Sequence, residues 1–339
     1  MLGKGDFVQS LMANLAPQLT RPSNQLHRHH LLSLVETAVR SSAPVSNESS
    51  ATRGNGDCKR IGWIGDSSTE MKGGDGDHAL LLCHLDVTLK KTPGGLGWDA
   101  FCLDYVIGSP CNVVLSDGAM RLYRQTSTFL WRLKRVEHSL TAVWRKHCTT
   151  ARLVRNMHKD ETMHRCYLLR NDMVHLVSNL QYYLMFEVIE CACVALDDAL
   201  SQASDIEQVL SAHDTFLVDI ERKAMLRRED EEMALALKAL FESILLFARS
   251  QDMFYMSLLE QKAARKTHMA AARDTSDAVG LWGGGVAVEP RLVEQLDESA
   301  TEYRSRFSAF YSLLRNHSSY DLSFLCFRLN FNECYQSMG

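Results

Sequence analysis

His27, His29 and His30 stand within four positions of one another, and imidazole is the commonest protein ligand for a transition metal. Adjacent histidines point to different sides of a helix, and no cysteine pair at zinc spacing lies near, so these three are expected to be surface side chains. Cys191 and Cys193 sit two apart, roughly 200° around a helix at about 100° per residue. They cannot chelate one ion together or close a local disulfide, and are expected to be small buried hydrophobes. His164 and His175 are eleven apart and share a helix face with Asp172 near, but no nucleophile or second ligand accompanies them. The letters GKGD at residues 3–6 suggest a phosphate loop, yet the spacing and a preceding strand are missing. The glycine runs at 73–76 and 283–285 lack a strand-turn-helix setting and read as linkers. No catalytic residue, cofactor or metal is expected, and an enzyme is disfavoured by these missing motifs.

Recognition is a better fit to the residue types. In the stretch FLWRLKRVEHSL at residues 129–140, Phe129, Leu133, Val136 and Leu140 recur at the spacing of one helix face. Arg132, Lys134 and Arg135 crowd elsewhere around the same helix with Trp131. Such a basic face is either solvated surface or a contact for an acidic partner. Tyr182 and Phe186, one turn apart, fall on the otherwise polar arc of His175, Ser178 and Asn179. They either emerge as an aromatic patch, of the kind that anchors protein partners, or are covered by neighbouring helices. Arg328, Asn330, Asn332 and Tyr335 interrupt a closing apolar run, where capping and internal hydrogen bonding explain them.

Composition limits what such surfaces can meet. Of 339 residues 46% are hydrophobic and 23% charged, enough to bury a large core. Lys plus Arg total 37 against 41 for Asp plus Glu, a formal charge of -4, so no overall basic field argues for nucleic acid or an anionic membrane. The ten cysteines form no paired framework and the first residues lack the pattern of a secretory signal, which favours reduced thiols in the cytoplasm. No apolar run approaches the roughly 20 residues of a membrane helix, so no membrane insertion is expected.

The elements that must position these residues are mainly helical. Six prolines, and long stretches free of both proline and glycine after residue 116, favour helix over sheet. Residues 6–19 carry Phe7, Leu11, Leu15 and Leu19 behind Asp6 as N-cap, and a second helix follows Pro22. Residues 43–78, rich in Gly, Ser and Asp, read as a disordered insertion. Alternation over 81–89 and the stretch WDAFCLDYVI predict two strands flanking a turn at Pro93, Gly94 and Gly95. Helices are expected over 122–147, 163–203 as one or two, 205–226 and 230–264. In the last, Met233, Leu237, Leu240, Ile244 and Phe247 alternate steps of four and three. A loose break at 272–290 precedes a helix from Arg291 and a short final one. The fold class expected is mainly α: one helical-bundle domain over 1–339 with a small β-hairpin and two flexible loop insertions.

Longer phrases carry a resemblance. GKGDFVQSLM, ETAVRSS, GWDAFCLDY, YRQTSTFLWRLKRVEHSLTAVW, MVHLVSNLQYYLMFEVIE, SAHDTFLVDI and FLCFRLNFNECYQ occur in order along most of the chain. In that order and spacing the sequence resembles the carboxy-terminal half of gamma-tubulin complex proteins. ETAVR, GWDAFCLDY and FRLNFNECY resemble the component 3 branch rather than its sister component 2.

The resemblance implies a fold and a task. The family's carboxy-terminal domain is a helical bundle with a small strand element that binds gamma-tubulin, while a separate amino-terminal bundle makes lateral contacts in a ring or cone. The resemblance places the start of this chain inside the second domain, without the lateral-contact half. It implies gamma-tubulin and other gamma-tubulin complex proteins as partners. It also implies a part in microtubule nucleation and residence in the cytoplasm and cytoskeleton, at spindle poles and microtubule-organising centres. The alternative is a helical cytoplasmic tether or adaptor with another protein partner. The Gly/Ser/Asp stretch at residues 46–78 is longer than the family's usual connection there. Since tubulins are acidic, Arg132, Lys134 and Arg135 are candidate steering residues, with Tyr182 and Phe186 as candidate anchors.

Overall fold

The computed structural model describes residues 5–42, 84–90, 95–151, 161–272, 290–317 and 319–330. The insertion expected at 43–78 lies outside the described residues, as does the break at 272–290 apart from Ala272 and Pro290, which end and begin helices. Backbone packing divides the chain into two units, Met1–Ser109 and Pro110–Gly339.

The first unit builds on α1 (Gly5–Leu19) and α2 (Arg28–Ser42). Phe7, Leu11, Leu15 and Leu19, all fully buried, form the α1 stripe, and α2 answers with Leu31, Val35 and Ala38. Asp6 lies within the first turn of α1 rather than ahead of it as a cap. Strands β1 (Leu85–Leu89) and β2 (Phe101–Tyr105) pair antiparallel, with Val87 opposite Leu103 and Leu89 opposite Phe101. Trp98, Asp99 and Ala100, expected as strand, instead form the single helical turn α3 (Gly97–Ala100) before β2. That turn presses against α1 because Gly97 has no side chain: a Cβ there would stand 2.5 Å from the Leu26 side chain and 2.9 Å from the Leu19 carbonyl oxygen. Asp86 faces Asp104 across the ladder, a repulsive pairing. Arg28 relieves it by donating to both Asp86 carboxylate oxygens at 2.6 Å and to the Val87 carbonyl at 2.8 Å.

The second unit is all helix among its described residues. It comprises α4 (Asp117–Ala151), α5 (Glu161–Tyr182), a widened turn (Tyr183–Glu190), α6 (Cys191–Gln202), α7 (Ile206–Lys223), α8 (Glu231–Ala272), α9 (Pro290–Asn316) and α10 (Tyr320–Leu329). Asp205 caps α7, its carboxylate accepting the Gln208 N–H at 2.8 Å. The chain leaves α7 through Met225, which takes a positive φ of 58° without being glycine. The four-and-three spacing on α8 is the interior seam: Met233, Leu237, Leu240, Ile244 and Phe247 are buried, and Gln251, Phe254 and Leu258 continue it. Helix α9 packs along α8 more extensively than any other element, and α4 and α5 also rest on it. Arg306 of α9 fastens the pair, donating to the Ala239 carbonyl at 3.0 Å and to Glu302 at 2.6 Å.

Because Leu240 is fully buried in this seam, Leu240→Ala is expected to cost about 2–5 kcal/mol of stability by lost burial and residual cavity. Urea unfolding followed by circular dichroism checks it; a loss under about 1 kcal/mol would mean the seam repacks freely.

Candidate functional site

Helix α4 carries the basic stretch. Leu133, Val136 and Leu140 are buried, as their spacing predicts, but Leu130 and Trp131 are buried too. Trp131 therefore belongs to the core and not to a basic face, which corrects the expectation. The charged residues also divide. Arg132 is exposed, and Lys134 lies roughly 200° away around the helix. There Lys134 donates to Glu137 at 2.9 Å, and the same carboxylate oxygen accepts Gln181 of α5 at 2.5 Å. Lys134 thus sits in a link between two helices, while the half-buried Arg135 shares the side of Arg132.

Tyr182 and Phe186 stand where α5 becomes the widened turn. In this turn the backbone closes on the carbonyl five residues back, as when the Cys191 N–H donates to Phe186 O. Such turns are rare, and they change which residues face outward. Tyr183, Leu184 and Val188 point into the core, and the Tyr183 hydroxyl donates to the Lys223 carbonyl at 2.9 Å. Tyr182 and Phe186 remain 45% and 52% exposed with ring centroids 4.9 Å apart. Neighbouring helices leave both about half exposed.

Sequence reasoning missed what joins them. Helix α10 adds Phe324, 50% exposed, and Arg328, whose guanidinium lies 4.0 Å over the Tyr182 ring and 5.9 Å from that of Phe324. Arg328 also donates to Glu187 of the widened turn at 2.9 Å. The four-residue step from Phe324 to Arg328 was a usable signal; their seat against Tyr182 is a tertiary fact. Asn330 fulfils the internal role expected of it, donating to the Tyr311 hydroxyl at 3.1 Å, and Asn332 and Tyr335 lie outside the described residues.

The remaining candidates disperse. His27, His29, His30, His164 and His175 are exposed. Cys191 and Cys193 are exposed rather than buried, because the core side of α6 is taken by Ala192. Among the described residues no group of three His, Cys, Asp or Glu is placed to share a metal ion, and no helix is long and apolar enough to cross a membrane. Periodicity did not single out His147, buried near the end of α4. Its ring stacks on Tyr255 of α8 at 3.8 Å and lies 3.6 Å from Asp252. Burial pulls its pKa down to about 4, against the opposing pull of Asp252 and with help from Lys146 and Arg170.

The model of one family, the gamma tubulin complex component C-terminal region, matches residues 1–335. The chain belongs to this family. It is 32% identical to the gamma-tubulin complex component 3 homolog of Xenopus laevis over 99% of its length, and 30% identical to spindle pole body component 98 of Dictyostelium discoideum, also over 99%. Similarity to mouse gamma-tubulin complex component 2 is 29% over 55% of the chain and 20% of that protein, consistent with the component 3 branch. The chain spans 36% of the frog protein and 37% of the Dictyostelium protein.

His147 gives this family member a pH dependence of defined sign. The unfolded chain takes up the proton near pH 6.5 and the folded chain only near 4, so the stability is full above about 6.5 and drains away as pH falls toward 4. Between pH 7 and 5 the residue is expected to remove about 2 kcal/mol. In urea titrations at the two pH values, His147→Phe, which keeps a stacking ring, should lose correspondingly less; an equal loss would assign the dependence to other groups.

Proposed function

We propose that the chain binds gamma-tubulin and contributes, within a gamma-tubulin complex, to microtubule nucleation at spindle poles and other microtubule-organising centres of the cytoskeleton. The observation that carries this reading is the family match along residues 1–335, joined by component 3 relatives aligned over nearly the whole chain. In this reading both compact units form one gamma-tubulin-binding domain, and other gamma-tubulin complex proteins are its further partners. The contribution is steric, not catalytic. A rigid helical surface fixes the orientation of one gamma-tubulin, neighbouring complex proteins set the spacing, and addition of alpha/beta-tubulin bypasses an unfavourable nucleus.

The aromatic patch is the best-supported anchor. Protein interfaces draw most of their energy from a few aromatic and arginine side chains, and Tyr182, Phe186, Phe324 and Arg328 supply that set on the surface. Exposed Arg132, with Arg135 on the same side of α4, supports a steering role in this reading, and Lys134 holds Glu137. Rigidity suits the anchor: Tyr183, one residue from Tyr182, is locked by burial and its hydrogen bond to the end of α7.

In size-exclusion chromatography and titration with purified gamma-tubulin, the chain is expected to co-elute, and Phe186→Ala with Tyr182→Ala to weaken binding by about 30-fold with helicity intact. Arg132→Glu with Arg135→Glu should act mainly on the association rate at low salt. A well-folded chain that does not bind would favour the tether reading.

A further inference from the structure

The segment that carries the aromatic pair has a one-sided charge, the nearby Arg328 coming from α10. From Asn171 to Glu221 the sequence holds ten Asp and Glu residues and no lysine or arginine. Within that span Tyr182, Phe186, Glu190, Val194 and Asp198 follow at steps of four, and all five are exposed. On an ordinary helix four-residue steps drift around the axis; the widened turn, closing on the fifth residue, offsets the drift between Tyr182 and Glu190. The result is a stripe of two aromatic rings, two carboxylates and an exposed valine.

The chain itself demonstrates what this chemistry holds. Arg328 lays its guanidinium on the Tyr182 ring and donates to Glu187. That aromatic-plus-carboxylate seat matches a planar cation in both stacking and charge. Phe186 and Glu190, four residues apart where Tyr182 and Glu187 are five, offer a ring and a carboxylate of the same kinds, and both are exposed. An acidic partner would meet repulsion here, and an anionic lipid surface would too.

We propose that the stripe of Tyr182, Phe186, Glu190, Val194 and Asp198 seats an arginine-bearing segment of the docked protein. This inference rests on the reading above, in which that protein is gamma-tubulin, and it names the chemistry that gamma-tubulin must present. Recognition at this face is therefore cationic on the partner's side, the reverse of what the Arg132 face would select. The cation stacks on Phe186 and pairs with Glu190, Val194 supplies apolar contact, and Asp198 receives a second basic side chain further along.

The test is gamma-tubulin affinity for the full chain, measured at about 50 and about 200 mM salt, with four variants checked for unchanged melting. Glu190→Arg with Asp198→Arg is expected to weaken binding by about tenfold or more at low salt, and Glu190→Gln with Asp198→Asn to flatten the salt dependence. Tyr182→Ala and Phe186→Ala report the docking reading separately. If the aromatic variants weaken binding while charge reversal leaves it unchanged or tightens it, the cationic seat is overturned and the docking reading stands. If reversal weakens binding and the aromatic variants do not, the carboxylates attract a cation without stacking, and the seat on Phe186 is overturned. No effect in any variant overturns both.

Discussion

The seam of α8 is the constraint on which the second unit depends. Forty-two residues of helix present one line of buried side chains, from Met233 through Phe247 to Leu258, at alternating steps of four and three. That spacing keeps one stripe facing a neighbour along a great length, so α9 can lie against it and α4 can close the side. Gln251 is the polar member of the line, fully buried, with neither side-chain amide atom hydrogen-bonded among the described residues. An unpaired polar group in an apolar seam costs stability, which the apolar side chains on either side of it must offset.

A rigid interior makes the irregularity at Tyr183–Glu190 meaningful. The helix from Glu161 to Gln202 does not break there; it widens. Tyr183, Leu184 and Val188 remain committed to the core, while Tyr182 and Phe186 stand on the outer side beside α10. The Arg328 pair with Glu187 then ties the final helix to this turn. Large exposed aromatic side chains cost solubility, and two of them side by side next to an uncommon backbone geometry are the feature on which the proposed docking rests.

Much of the fold was legible in the sequence because it follows from periodicity. The α1 stripe, the α8 seam and the paired strands all arise from local spacing and residue type. The candidate site was half legible: Tyr182 and Phe186 were visible as aromatics on a polar arc, but Arg328 and Phe324 reach them from more than 130 residues away. Trp131 and Cys191 were misplaced for a common reason. A helix flanked on several sides buries more than one stripe, and a poorly covered one such as α6 buries only Ala192, so neighbours decide the width of the buried arc. The widened turn left no periodic trace, since YLMFEVIE is compatible with a regular helix. His147 was likewise hidden, because its burial comes from Tyr255 on another helix.

Hydroxyl-radical footprinting of the chain, free and with gamma-tubulin, tests the docking claim most directly, because it reads side-chain exposure in the unaltered protein. The account predicts strong protection of Tyr182, Phe186 and Phe324 in the complex, with the exposed Trp144 available as an internal reference on the same unit. Undiminished oxidation of the three rings in a fully formed complex would contradict it and place gamma-tubulin on another face.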